Sequence, residues 1–336
     1  MSAPDRLASA AMALLALAAA PAQEPPVKEP PAAQAQPPHR APAILDTDIG
    51  DDIDDTWALA LLLRSPELDL RLVTTDYGRP SYRGKLIARL LETAQRTDVD
   101  IGLGPEVPGV EGEGAQAAWV KDYELARFHG RVHKDGVQAI VDLAMGTREP
   151  VTLICIGPLP TVAAALEREP RIAEHMRFVG MQGSVHRGYD GKASPDAEWN
   201  VKAAPAACRR AFAAAWPIAL APLDTCGAVR LEGEPYRALR AATDPLARAV
   251  LENYRVWCGA DAQRAERGSS VLFDTVAVYL ATSPDRAFVR MADARLAVKD
   301  DGTTVVDPAA KPVACALEWR DLAGFRDFLV RRIAGK

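Results

Sequence analysis

Ile44-Leu45-Asp46-Thr47-Asp48-Ile49-Gly50-Asp51-Asp52-Ile53-Asp54-Asp55 places six aspartates within ten residues. The segment begins in an apolar run, Ala43-Ile44-Leu45, and runs into Ala58-Leu59-Ala60-Leu61. That pattern predicts a buried strand, an acidic turn and a helix. In open α/β sheets ligands bind at the carboxyl ends of strands, so the position of the cluster already points to function. Six neighbouring carboxylates repel one another unless a cation neutralises them, and hard oxygen donors at this density favour Ca²⁺ or Mg²⁺. Helix N-capping accounts for one or two aspartates at such a place. It does not account for six.

Downstream, short apolar runs at 70–74, 151–156, 177–179 and 218–221 alternate with helix-like stretches at 54–64, 81–95, 136–145, 161–167 and 203–214. Continuously apolar strands separated by helices predict an α/β fold: a single domain with a mostly parallel open sheet and helices on both faces. The stretch 286–313 reads as short strands and 320–333 as a last amphipathic helix. Of 336 residues, 49% are hydrophobic and 25% charged, which excludes a disordered or collagen-like chain. Lys and Arg number 40 against 45 Asp and Glu, a net charge of −5 that argues against a nucleic-acid partner.

The N-terminus reads separately. Arg6, an Ala/Leu-rich run over 8–20 and the small-residue end Ala20-Pro21-Ala22 predict a signal peptide over 1–22. This predicts export to the periplasm or the extracellular space, with no membrane span in the mature chain. Residues 23–42 are Pro- and Ala-rich and predict an extended linker, leaving 43–336 as the folded domain. Cys155, Cys208, Cys226, Cys258 and Cys315 are odd in number and widely spaced. They form neither a zinc pattern nor a disulfide framework, although export would permit one bridge.

Three motif families compete for the acidic segment. An EF-hand loop counted from Asp46 needs Gly and Glu where the chain has Asp51 and Trp57. An Asp-x-Asp phosphatase would use Asp46 and Asp48 but leaves Gly50 and the Asp54-Asp55 pair unexplained. The segment resembles the N-terminal signature of the inosine–uridine preferring nucleoside hydrolases, with Ile49 in place of Pro and two extra residues before Asp54-Asp55. Further segments are similar in the same order: Val73-Thr74-Thr75 with Gly78, His133-Lys134-Asp135-Gly136, Gly157-Pro158-Leu159, Glu198-Trp199-Asn200, Leu223-Asp224-Thr225 and Phe273-Asp274.

The resemblance implies a Ca²⁺ site made by Asp48, Asp55, the carbonyl of Ile156 and Asp274, with Asp48 also the general base. It implies sugar binding by Asp54, Glu198 and Asn200. Arg79 and Lys192 stand where the family has amides, and Phe273 where it has a histidine that protonates the leaving base. The two cations suit an anionic group or pairing with Asp51 and Asp52. His133 enters by its motif, and Trp199 and Phe273 as stacking surfaces. His186 and Tyr189, in the loop before Glu198, are the alternative donors. The expected function is Ca²⁺-dependent hydrolysis of N-ribosyl bonds in a small-molecule nucleoside, by a divergent, secreted member able to form a homo-oligomer. The alternative, from another class, is a module that binds a sugar or nucleoside without turnover.

Overall fold

The computed structural model describes residues 40–110 and 114–336. The expected signal peptide, and the linker up to residue 39, lie outside the described residues. Ala41 and Pro42, expected in the linker, instead open the first strand. Proline is tolerated there because a strand start needs no ladder N–H.

The strands are β1 (Ala41–Thr47), β2 (Leu68–Thr75), β3 (Asp100–Gly102), β4 (Val132–His133), β5 (Val151–Cys155), β6 (Met176–Gly180), β7 (Ile218–Leu220), β8 (Val289–Val298), β9 (Thr304–Val306) and β10 (Pro312–Trp319). They form one sheet in the order β4-β3-β2-β1-β5-β6-β7-β10-β8-β9. Every pair from β4 across to β10 is parallel, while β8 and β9 join antiparallel. The chain winds outward from β1 through β4, then restarts at β5 on the other side of β1. That reversal makes the β1/β5 boundary the switch point, where a crevice opens beyond the strand ends.

The central strands read as unbroken apolar runs because both faces are covered. Ala43 and Leu45 pack into one hydrophobic cluster and Ile44 into another, the alternation a strand between two layers requires. The helix Asp54–Leu63 has nine of its ten residues buried. It packs against the helices Pro245–Cys258, Thr275–Thr282 and Leu322–Ile333, so it carries no polar stripe. The helix expected over 203–214 forms over Pro205–Ala213, and a separate short helix, Trp199–Ala203, precedes it. Pro205 lacks the N–H needed to continue the short helix and is well placed to begin the longer one. Among the described residues, no helix is long and apolar enough to cross a membrane.

Candidate active site

The acidic turn leaves β1 directly at the switch point. Gly50 sits at φ +126°, and a Cβ there would lie 2.5 Å from the Tyr82 ring. Only glycine fits the bend. Tyr82 donates its hydroxyl proton to the Gly50 carbonyl at 2.8 Å, and the Trp257 indole N–H donates to the Asp51 carbonyl at 2.9 Å. Gln116 Nε2 donates to the Asp52 carbonyl at 2.6 Å. The turn is therefore held by three distant parts of the chain.

Arg83, fully buried, holds it from below. Its Nη1 donates to the carbonyls of Asp48 and Ile49, its Nη2 to Asp51 Oδ2 (2.9 Å) and the Tyr77 carbonyl (3.0 Å), and its Nε to the Gly78 carbonyl (2.9 Å). Arg79 pairs with the other oxygen of Asp51. Burial by itself raises the Asp51 carboxyl, but the hydrogen bonds and charges of Arg79 and Arg83 bring it below the ordinary range.

Asp54, Asp55 and Asp274 meet a different environment. Each offers a carboxylate oxygen within 4.8 Å of the others, and all three are buried. Asp54 and Asp55 occupy the first turn of one helix and Asp274 the N-cap of another. Two helix N-termini thus face the carboxylates and favour negative charge there. Burial first, then mutual repulsion, pushes all three carboxyls well above their ordinary range; for Asp54 the leading neighbour is Asp52. Asp48 lines the same cavity and is pushed up to about 7 by burial, against the opposing pull of Arg83. Ionising this group together needs a cation, and an all-oxygen donor set fits a hard divalent ion.

The floor comes from the end of β5 and the turn after it. The Ile156 carbonyl lines the cavity and accepts from Asn200 Nδ2 at 3.1 Å. A Cβ on Gly157 would fall 3.0 Å from Asp76 Oδ2 and 3.1 Å from Asp48 Oδ1, so glycine lets the two strand ends approach. Asp76, missed at the sequence level, accepts the N–H groups of Leu159 (2.7 Å) and Thr161 (2.9 Å), tying the end of β2 to the start of the helix Pro160–Arg168.

Glu198 caps the helix Trp199–Ala203. Its carboxylate accepts the N–H groups of Asn200 (2.7 Å), Val201 (3.3 Å) and Gly183 (2.9 Å), while burial pushes its carboxyl up to about 7. Asn200 spends Nδ2 on the carbonyls of Ile156 and Met181, leaving Oδ1 to accept from a ligand. Trp199, 54% exposed, stands at the rim. Phe273 packs edge-on against Tyr189 with ring centroids 6.0 Å apart, and both line the cavity.

One cavity of about 410 Å³ therefore gathers Asp48, Asp54, Asp55, Ile156, Tyr189, Glu198, Trp199, Asn200, Phe273 and Asp274, with Asp51, Asp52, Met181 and Trp257 completing its walls. Three expected substrate contacts lie outside its walls. His133 is on β4, the outermost parallel strand, where its Nε2 bonds Asp100 at 2.7 Å and faces a separate surface hollow. Lys192 reaches the nearer Asp196 at 2.6 Å and is mostly exposed. Arg79 braces Asp51 from behind; of the expected pairing of two cations with Asp51 and Asp52, only Arg79–Asp51 forms. His186 is exposed and does not line the cavity, so of the two alternative donors Tyr189 alone reaches it. All five cysteines are unbridged, four of them buried.

A mostly parallel α/β sheet carries at its switch point an acidic pocket whose oxygen donors suit a hard divalent ion. The comparisons carry this further: the family model for inosine-uridine preferring nucleoside hydrolases matches residues 43–325, and the chain belongs to that family. The non-specific ribonucleoside hydrolase RihC of Escherichia coli is 30% identical over 316 residues, 88% of this chain and 99% of that protein. RihC of Klebsiella pneumoniae is 32% identical over 231 residues, 64% of this chain and 73% of that one. Among solved structures, a plant nucleoside hydrolase superposes with a TM-score of 0.74 at 20% identity, covering 89% of this chain and all of that one.

Proposed function

We propose that the protein hydrolyses the N-glycosidic bond of ribonucleosides with the help of Ca²⁺. The observation that carries the reading is the convergence of the buried Asp54/Asp55/Asp274 cluster with Asp48, Glu198 and Asn200 in one cavity of a nucleoside hydrolase fold. Asp48, Asp55, Asp274 and the Ile156 carbonyl would hold the ion. Bound there, it supplies a charge that lowers the pKa of a coordinated water and orients sugar hydroxyls.

The chain's own groups do the rest. Asp48, on the cavity wall beside the ion's other ligands, would take the proton of the attacking water. Asp54 and Asn200 Oδ1 accept hydrogen bonds from ribose hydroxyls. Glu198, fixed by three backbone N–H groups, sets the position of Asn200 and adds negative charge beside a sugar that becomes oxocarbenium-like.

The test is release of free base and reducing sugar from a ribonucleoside panel, with Ca²⁺ and after chelation. Asp48→Asn should lower kcat by about 10²–10⁴-fold while leaving affinity for a sugar analogue within about tenfold. Turnover near wild type would remove Asp48 from the role. Analogue binding with no release from any nucleoside would return the protein to the other class, a binding module. We further propose export with cleavage after Ala22; N-terminal sequencing of the exported protein should then begin at Gln23.

A further inference from the structure

The proposed hydrolysis leaves open which base departs, and the walls of the cavity bear on that question. Trp199, Trp257, Tyr189 and Phe273 line it together with seven acids, and none of its described lining residues is a histidine, lysine, arginine or cysteine. The remaining side-chain donors are largely spoken for. Trp257 gives its N–H to the Asp51 carbonyl, and Asn200 Nδ2 is shared between two carbonyls. The Tyr189 hydroxyl accepts the Trp199 backbone N–H at 2.8 Å and retains its own O–H, a weak acid because burial, with Glu198 nearby, pushes the phenol well above the ordinary value. A neutral purine or pyrimidine departs as an anion unless it is protonated; apart from Asp51 and Asp52, the carboxyls of the cavity are those assigned to the ion and the sugar, and the four aromatic residues bring no imidazole or ammonium group to protonate a base.

Charge points the same way. Asp51 is offset by Arg79 and Arg83, and Arg264, over the Trp257 ring at 5.2 Å, attracts Asp52. A divalent ion would offset two more carboxylates. The ionisable side chains lining the cavity are acidic apart from Tyr189, a lining that disfavours phosphates and favours cations. Aromatic faces within about 6 Å of a cation add to that attraction.

Resting on the hydrolytic reading of this site, we propose that its preferred substrate is a ribonucleoside whose base carries a fixed positive charge, such as an N-ribosylpyridinium or a 7-alkylated purine riboside. When the C1′–N bond breaks, its electron pair neutralises the ring cation, so the base leaves neutral and takes no proton. Water forms the new C1′–O bond, and its proton passes to Asp48 and then to solvent. The reaction gives ribose, neutral base and one proton.

The experiment gives the full chain, with Ca²⁺, two matched pairs: 7-methylguanosine with guanosine, and N-ribosylnicotinamide with uridine. Both cationic compounds should exceed their neutral partners in kcat/KM by about 10²-fold or more, the usual worth of the missing acid. Phe273→His should narrow the guanosine gap by at least about tenfold, by supplying that acid. Binding is checked on the unaltered protein, where 1-methylnicotinamide should inhibit about tenfold more tightly than nicotinamide. Guanosine or uridine turned over as efficiently as its cationic partner, or equal inhibition by the two nicotinamides, would overturn the substrate proposal and leave the hydrolase reading standing. No turnover of any of the four would bring down the hydrolase reading itself.

Discussion

Asp51 and Asp55 stand in the same acidic segment, four residues apart, in opposite electrostatic company. Asp51 has a guanidinium on each oxygen and its carboxyl is held below the ordinary range. Asp55 has Thr47 on one oxygen and three further carboxylates around it, and its carboxyl is driven well above that range. The fold puts two guanidiniums on Asp51, whereas at Asp55 the pull of Arg83 is outweighed by burial and the neighbouring acids. A carboxylate that the protein neutralises serves to fix a loop; a cluster that it leaves in mutual repulsion is preorganised for a cation from outside.

The largest effect expected from breaking this contrast is at the open cluster. Asp55→Ala should abolish Ca²⁺ binding in calorimetry and lower nucleoside turnover by about 10³-fold, several kcal/mol of lost charge stabilisation. Unchanged Ca²⁺ affinity would show that the repulsion is relieved some other way.

On the closed side the cost should appear as stability. Arg83→Met removes five hydrogen bonds at a fully buried position and leaves two loops unbraced. Urea unfolding should show a loss of about 3–5 kcal/mol, the usual cost of breaking a buried ion pair from one side. A change below about 1 kcal/mol would mean that Arg79, Gln116 and Trp257 hold the loop without it.

The sharpest form of the comparison is a difference in sign. In chelated protein, Asp274→Asn removes one of the repelling charges and should raise stability by about 1 kcal/mol, whereas Asp51→Asn should lower it. Thermal unfolding of both variants decides this, and two shifts in the same direction would erase the distinction. Smallest of all is Lys192→Ala. Its exposed pair with Asp196 should leave the unfolding midpoint essentially unchanged, and nucleoside turnover should stay within about twofold. A larger loss of turnover would restore Lys192 to the substrate side.

Local signals carried the fold and half of the site. Apolar strand runs, the helix opened by Asp54-Asp55 and the Glu198-Trp199-Asn200 segment each declare themselves within a dozen residues, because strand burial and helix capping are short-range patterns. β3 and β4, of three and two residues, are too short to show any period. His133 illustrates the limit: its motif context suggested the pocket, but strand order sets it at the sheet edge, and order is a property of long-range pairing. Tyr189 is legible from its place in the loop before Glu198, whereas Trp257, about two hundred residues from the acidic turn, carries no signal there, yet both close the cavity.

The sequence by itself determined the chemistry available: six aspartates after a buried strand, a capping glutamate beside an asparagine, and a phenylalanine next to the last acid. Only the tertiary structure decided which acids are neutralised and which are left to a cation. Arg79 and Arg83 reach Asp51 from 28 and 32 residues away. Asp274 reaches Asp54 and Asp55 across more than two hundred. Coulombic interaction depends on distance in space and on burial, and neither is written in the spacing of residues along the chain.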